Sequence, residues 1–227
     1  MKFRTVNQVL EYADNYDTSK LNIDLSSNHI KDINGLENIQ CISLKLSFNE
    51  IVEIPENWNP KCDVIHLDEN HITKIGQGSF SNKYYHFVNF YNNNMKTLDP
   101  LWKPTIRELT FCHNEITNIP IDFDLTCYYL GLAFNKIKQL HNFTKLKCYK
   151  LDLFKNLITE IPNDFYINCK HIELSSNNIS YIPSHFSTTV NKNSPIVLST
   201  DNHTKYYLSD SLSTLEKLSN KVDTIVI

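Results

Sequence analysis

The stretch that decides the fold is CKHIELSSNNISYIPSHF, residues 169–186. Asn177 stands there between two apolar pairs, Ile172/Leu174 before it and Ile179/Ile182 after it. Such flanks mark an interior position, and a buried amide has to find hydrogen-bond partners. The same arrangement recurs upstream, in LNIDLSSNHIKDI from Leu21, CISLKLSFNEIVEIP from Cys41, CDVIHLDENHITKI from Cys62 and YHFVNFYNNNMKTL from Tyr85. It continues in IRELTFCHNEITNIP from Ile106, CYYLGLAFNKIKQL from Cys127 and CYKLDLFKNLITEIP from Cys148. The pivotal residues are Asn28, Asn49, Asn70, Asn93, Asn114, Asn135, Asn156 and Asn177. They lie 21 residues apart, except for 23 between Asn70 and Asn93, where GQGSFSNK is expected to hold the extra residues.

Apolar residues stand five and three before each asparagine, and two and five after it. Alternation with period two before the asparagine predicts a short strand with one buried face. About a dozen residues then remain to return the chain to the next strand, which requires parallel strands stacked as a solenoid. Backbone groups that turn inside such a stack lack sheet partners, and each costs about 1–3 kcal/mol if left unpaired. An asparagine side chain carries two donors and an acceptor and can serve both sides of that turn.

The repeat resembles the leucine-rich repeat family over residues 21–186. The resemblance implies an α/β repeat solenoid, a horseshoe with a parallel sheet on its concave side. It also implies that the eight asparagine amides bond backbone groups of their own and the neighbouring turn as a ladder. A solenoid needs its ends covered. Residues 1–20 are expected to form a helical N-terminal cap, with Thr5–Gln8 as a capping box and Val6, Val9, Leu10 and Ala13 on one face. Residues 187–227 are expected to form a C-terminal cap, with a strand in SPIVLST, a helix in SDSLSTLEKLSN and an edge in DTIVI.

Six cysteines raise the question of disulfides or zinc. Cys41, Cys62, Cys127, Cys148 and Cys169 all stand eight before an asparagine, the first apolar slot of the unit. No CxxC occurs, and they are expected to be buried free thiols acting as small apolar residues. His29, Glu50 and His71 share the column just after the asparagine and are expected to be solvated. No metal or other cofactor is expected. Cys112 lacks a local cue for activation, and no GxSxG, HRD with DFG, or GxxxxGK[ST] motif is present, so no enzyme is expected.

The net charge of −3 offers no basic surface for nucleic acid or an anionic membrane. No apolar run approaches the roughly 20 residues of a spanning helix, and the N-terminus has no apolar signal core. A cytoplasmic monomer is expected, in a host or a producing cell. The asparagine-heavy repeats resemble those encoded by AT-rich amoebae or their giant viruses. On the strand face opposite the buried one, the outer repeats are polar, while Phe87, Tyr91, Tyr129 and Phe154 occupy the middle. These four are the candidate contacts for a partner protein, and Gly131 and Ala133 between Tyr129 and Phe154 suggest a small pocket. The expected function is protein–protein recognition through the concave face. The alternative is a regulatory or adaptor subunit of an enzyme such as a phosphatase or ubiquitin ligase complex.

Overall fold

The computed structural model describes residues 1–180 and the backbone of residues 197–199 and 205–207. Ile182 and the expected C-terminal helix and edge lie outside the described residues.

Each unit forms a strand where the apolar alternation falls. The strands are β1 (Asn22–Asp24), β2 (Gln40–Lys45), β4 (Lys61–His66), β6 (Tyr85–Asn89), β7 (Ile106–Thr110), β8 (Leu125–Gly131), β9 (Phe143–Asp152) and β10 (Ile167–Glu173). They pair in chain order, all parallel, and the solenoid continues into β11 (Val197–Ser199), against which β12 (Lys205–Tyr207) runs antiparallel. Register follows the repeat: Ile23 faces Leu44, Leu44 faces Ile65, and the same column runs through Val88, Leu109, Leu130 and Leu151 to Ile172. All of these are buried. A one-residue slip would turn the whole column to solvent, so burial holds the register. On the return side, β3 (Glu53–Ile54) and β5 (Lys74–Ile75) make a second small parallel sheet.

The asparagines hold the turn after each strand. Asn135 Nδ2 donates to Leu132 O of its own turn at 3.1 Å and to Phe111 O of the preceding turn at 2.9 Å. Its Oδ1 accepts from Ile116 N at 2.9 Å, again one turn back. Asn49, Asn70, Asn93, Asn114, Asn156 and Asn177 repeat this set. From Leu46 to Leu153 the carbonyl three before the asparagine thus serves two amides: Phe111 O accepts from both Asn114 and Asn135, using both its lone pairs.

Asn28, first in the row, has no earlier strand to bond. Its Nδ2 donates to Phe3 O at 3.0 Å. Residues 1–3 are extended rather than helical. Lys2 pairs in parallel with Asp24, Asp24 N donates to Met1 O, and Phe3 N donates to Asp24 O. The exposed edge of β1 is thereby paired, which a helix over the first residues could not achieve. Helix α1 (Val6–Asn15) follows, with a capping box in which Thr5 Oγ1 accepts from Gln8 N and Gln8 Oε1 accepts from Thr5 N. Val9 on this helix is fully buried.

The return segments carry a column of large buried side chains, Leu36, Trp58, Phe80, Trp102, Phe123 and Phe165, which Phe143 at the start of β9 completes. Two extra residues in the longer unit straddle Phe80, which lies ten after its asparagine and five before Tyr85, where Trp58 lies nine after and four before Cys62. Gly76 makes this detour possible. A Cβ there would lie 2.4 Å from Glu56 N and 2.6 Å from the Pro55 carbonyl carbon, both backbone atoms. Gly76→Ala should therefore cost about 3 kcal/mol, at the upper end for overpacking. A urea midpoint equal to that of the native chain would show that the two return segments can separate freely.

The cysteine column requires a correction. Cys41 and Cys62 are joined by a disulfide, with Cα atoms 4.8 Å apart on paired positions of β2 and β4. Parallel in-register strands bring identical columns to within the Cα range that a disulfide spans. Cys127 is also only partly buried, whereas Cys148 and Cys169 are buried thiols.

Candidate functional site

The sheet face and its rim are built by local hydrogen bonds. In five of the eight units the residue four before the asparagine accepts from the N–H two residues on: Asn89 Oδ1 from Tyr91 N at 2.9 Å, Asp152 Oδ1 from Phe154 N at 3.1 Å, Thr110 Oγ1 from Cys112 N at 3.3 Å, and Asp24 and Glu173 likewise from Ser26 and Ser175. These turns fix where the side chains after the strand emerge. The next residue is left-handed in every unit: Ser27, Phe48, Glu69, Asn92, His113, Phe134, Lys155 and Ser176 have φ between 51° and 60°. None is glycine. The seven from Ser27 to Lys155 donate their N–H to the following turn, as His113 N does to Ala133 O at 3.0 Å and Phe134 N to Phe154 O at 2.9 Å. Those bonds offset the roughly 1–2 kcal/mol that a side chain costs in this conformation.

The four expected contacts do not form one cluster. Tyr91 and Phe154 belong to a continuous run of rings along the rim: Tyr91–His113 at 4.8 Å, His113–Phe134 stacked at 4.0 Å, and Phe134–Phe154 edge-on at 5.3 Å. Lys155 Nζ lies 5.0 Å from the Phe134 ring centre. His113 and Phe134, which join the run, occupy the left-handed position. Their signal in the sequence was a recurring column one before the asparagine, lost because its residue types vary. Phe87 stands apart, edge-on to the His66 ring at 5.6 Å.

Tyr129 is also separate, and it removes the expected pocket. Its ring lies over Gly131, where an added Cβ would come within 2.9 Å of the Tyr129 ring and hydroxyl. Its hydroxyl donates to Asp152 Oδ2 at 3.2 Å, and Lys150 Nζ sits 5.8 Å from the ring centre. Burial and the Asp152 charge both push the Tyr129 phenol far up. The space left by glycine is thus filled by the neighbouring ring, and Ala133 is buried.

A second exposed ring pair went unnoticed in the sequence. Tyr128 and Tyr149 stack at 4.7 Å, with Arg107 over Tyr128 at 5.1 Å and Lys170 over Tyr149 at 5.5 Å. They share the column seven before the asparagine, at the opposite end of the strands from the rim run.

The repeat geometry is decisive for the fold. It is a leucine-rich-repeat-like solenoid. No protein-family model and no curated protein matches the chain. Among solved structures, the chain is similar to a leucine-rich repeat protein of Leptospira interrogans, over 88% of this chain and 82% of that one, at 15% sequence identity and a TM-score of 0.28.

Elsewhere the polar side chains pair locally. His29 Nδ1 lies 2.6 Å from Glu50 Oε1 and Lys31 Nζ 3.2 Å from Glu50 Oε2, while His71 is exposed. Among the described residues no three potential ligands gather into a metal site, and no helix is long and apolar enough to cross a membrane. Burial raises the Cys112 thiol, with partly opposing bonds from Thr110 and the Ala133 backbone. That thiol is a poor nucleophile.

Asp68 is one of the half-buried acids of the face. It accepts from Ser47 Oγ at 2.9 Å and Asn89 Nδ2 at 3.0 Å, with His66 Nδ1 at 3.7 Å. Burial raises its pKa, but the His66, Ser47 and backbone hydrogen bonds outweigh burial and leave it below the usual value. A carboxyl lowered in the folded state stabilises above its unfolded pKa, about 3.9, and loses that contribution as pH falls through the folded value. The native urea midpoint should therefore fall on acidification below about pH 4, and Asp68→Asn should flatten part of that fall. An unaltered acid limb in the variant would remove Asp68 from the account.

Proposed function

We propose that the chain is a non-catalytic protein-recognition module, and that it grips its partner along the rim run Tyr91–His113–Phe134–Phe154. The observation that carries this reading is the continuity of partly exposed rings across four successive turns, each held by a bonded left-handed backbone. Rigid aromatic side chains lose little conformational entropy on binding and dominate the energetics of protein interfaces. Lys155 beside Phe134 adds a cation at the end of the run, which favours an acidic or aromatic residue on the partner.

The test is an affinity capture from lysate with two baits, the native chain and a Tyr91→Ser/Phe134→Ser/Phe154→Ser variant shown by circular dichroism to be folded. A partner held by the native chain should be lost by the variant, by about a hundredfold in affinity if two or three rings act as anchors. Equal retention by both baits would shift the contact to the Tyr128–Tyr149 stack or to the return side.

A further inference from the structure

Cys127, Cys148 and Cys169 form a second set of aligned cysteines, three turns beyond the Cys41–Cys62 bond in the same column. They occupy paired positions on three adjacent strands, Cys127 opposite Cys148 and Cys148 opposite Cys169. The pairing is the same as that of Cys41 with Cys62, where the bridge is closed. Cys148 Sγ lies 3.2 Å from Cys169 Sγ, with the Cys148 thiol donating. Cys127 lies on the other side of Cys148. Access is graded along the row: Cys127 is partly exposed, while Cys148 and Cys169 are buried.

We propose that the three cysteines form an oxidation-driven thiol relay, in which Cys127 takes up the oxidant and the disulfide comes to rest between Cys148 and Cys169. The oxidant is a peroxide. The Cys127 sulfur, as thiolate, attacks one peroxide oxygen; the O–O bond breaks, and the departing hydroxide takes up the thiol proton to leave water and a Cys127 sulfenic acid. The Cys148 sulfur then attacks the Cys127 sulfur. The S–O bond breaks and a second water leaves with the Cys148 proton, forming the Cys127–Cys148 disulfide. Finally the Cys169 thiolate attacks Cys148, the first disulfide breaks, and Cys127 leaves with the proton that Cys169 gave up. Two thiols and one peroxide become one disulfide and two waters, with two electrons passing to the peroxide.

Thiol–disulfide exchange needs attacking, central and leaving sulfurs in line. Three strands in register place the cysteines in one row with Cys148 in the middle. Hydrogen bonding from Cys148 lowers the Cys169 pKa, which favours Cys169 as the final attacking thiolate; Cys148, bonded to both neighbours and buried, is pushed up. The direction of the last step follows from burial, since a disulfide between the two enclosed sulfurs is shielded from reductants that reach Cys127.

The test uses the full chain, reduced, desalted and then exposed to hydrogen peroxide, with free thiols alkylated at intervals. Lysines between Cys127, Cys148 and Cys169 let trypsin separate these three for mass mapping; Cys112 shares the Cys127 peptide, and fragment ions tell the two apart. In the native chain, peptides containing Cys148 and Cys169 should become linked. Cys127→Ser should form the same link about tenfold more slowly, because both remaining thiols are enclosed. Cys169→Ser should stop at a Cys127–Cys148 link. The Cys41–Cys62 bond, re-forming in the same sample, reports that the chain is folded and the oxidant active. If that bond closes while Cys148 and Cys169 remain alkylated, the proposed disulfide is wrong. If Cys127→Ser reacts at the native rate, the entry role of Cys127 is wrong.

Discussion

Phe80→Ala is expected to be the most damaging single substitution in the chain, lowering stability by about 3–5 kcal/mol. The Phe80 ring is fully buried and meets four others edge-on: Trp58 at 5.6 Å, Tyr85 at 5.5 Å, Phe90 at 5.8 Å and Trp102 at 6.3 Å. It joins the return column to the strand layer at the one unit that departs from the common length. Those neighbours belong to several turns anchored by their own hydrogen bonds, so the space left behind cannot close easily. Phe80 is also left-handed, at φ 58°. Glycine there removes a conformational cost of roughly 1–2 kcal/mol that alanine retains. Phe80→Gly should therefore match or exceed the stability of Phe80→Ala, the reverse of the usual order. Urea titrations of both variants provide the check. A clearly weaker glycine variant would mean that the backbone at residue 80 is not held left-handed in solution.

The second large effect is expected at the middle of the amide row. Asn135→Ala should cost about 3 kcal/mol, and Asn28→Ala about 1 kcal/mol. Losing the Asn135 side chain leaves the buried Ile116 N–H without its acceptor, while Phe111 O keeps the amide of Asn114. Asn28 is less buried, and its donors serve only Phe3 O and Ser26 O near the chain end. Equal losses at the two positions, read from chemical denaturation, would mean that the amides act through intrinsic turn preference and not through their bonds to the preceding turn.

The asparagines and the strand positions were legible because each answers to a fixed offset. A period of 21 puts the same residue type at the same depth in successive turns, and burial enforces it. The return column was harder to see. Leu36, Trp58, Phe80, Trp102 and Phe123 lie eight to ten residues after their asparagines, since a turn without sheet pairing tolerates insertion. The left-handed rim positions gave no compositional sign. Such positions commonly attract glycine or asparagine, but here they include Phe134, Lys155 and Glu69, because backbone bonding across turns holds the conformation. His113 and Phe134 therefore went unread, and with them the link between Tyr91 and Phe154. The pocket expected beside Gly131 failed for a related reason. A missing side chain in a parallel sheet is space that a neighbour on the same face can fill, and Tyr129, two residues earlier on the same strand, fills it. Alignment of the cysteines in one column was visible, but their oxidation state depends on chemistry outside the sequence pattern.

The amide row also has a direction. Among the described residues every asparagine from Asn49 onward bonds its own turn and the one before it, and none bonds the one after. A turn newly delivered from the ribosome thus brings the side chain that completes the turn already folded. N-terminal turns need wait for only about one further unit of chain before their polar groups are satisfied, which suits synthesis at about 5–20 residues per second. Growth of the solenoid and growth of the nascent chain then proceed in the same sense. The extended residues 1–3, pairing β1 and accepting from Asn28, precede every repeat in the chain and supply a template for the first of them.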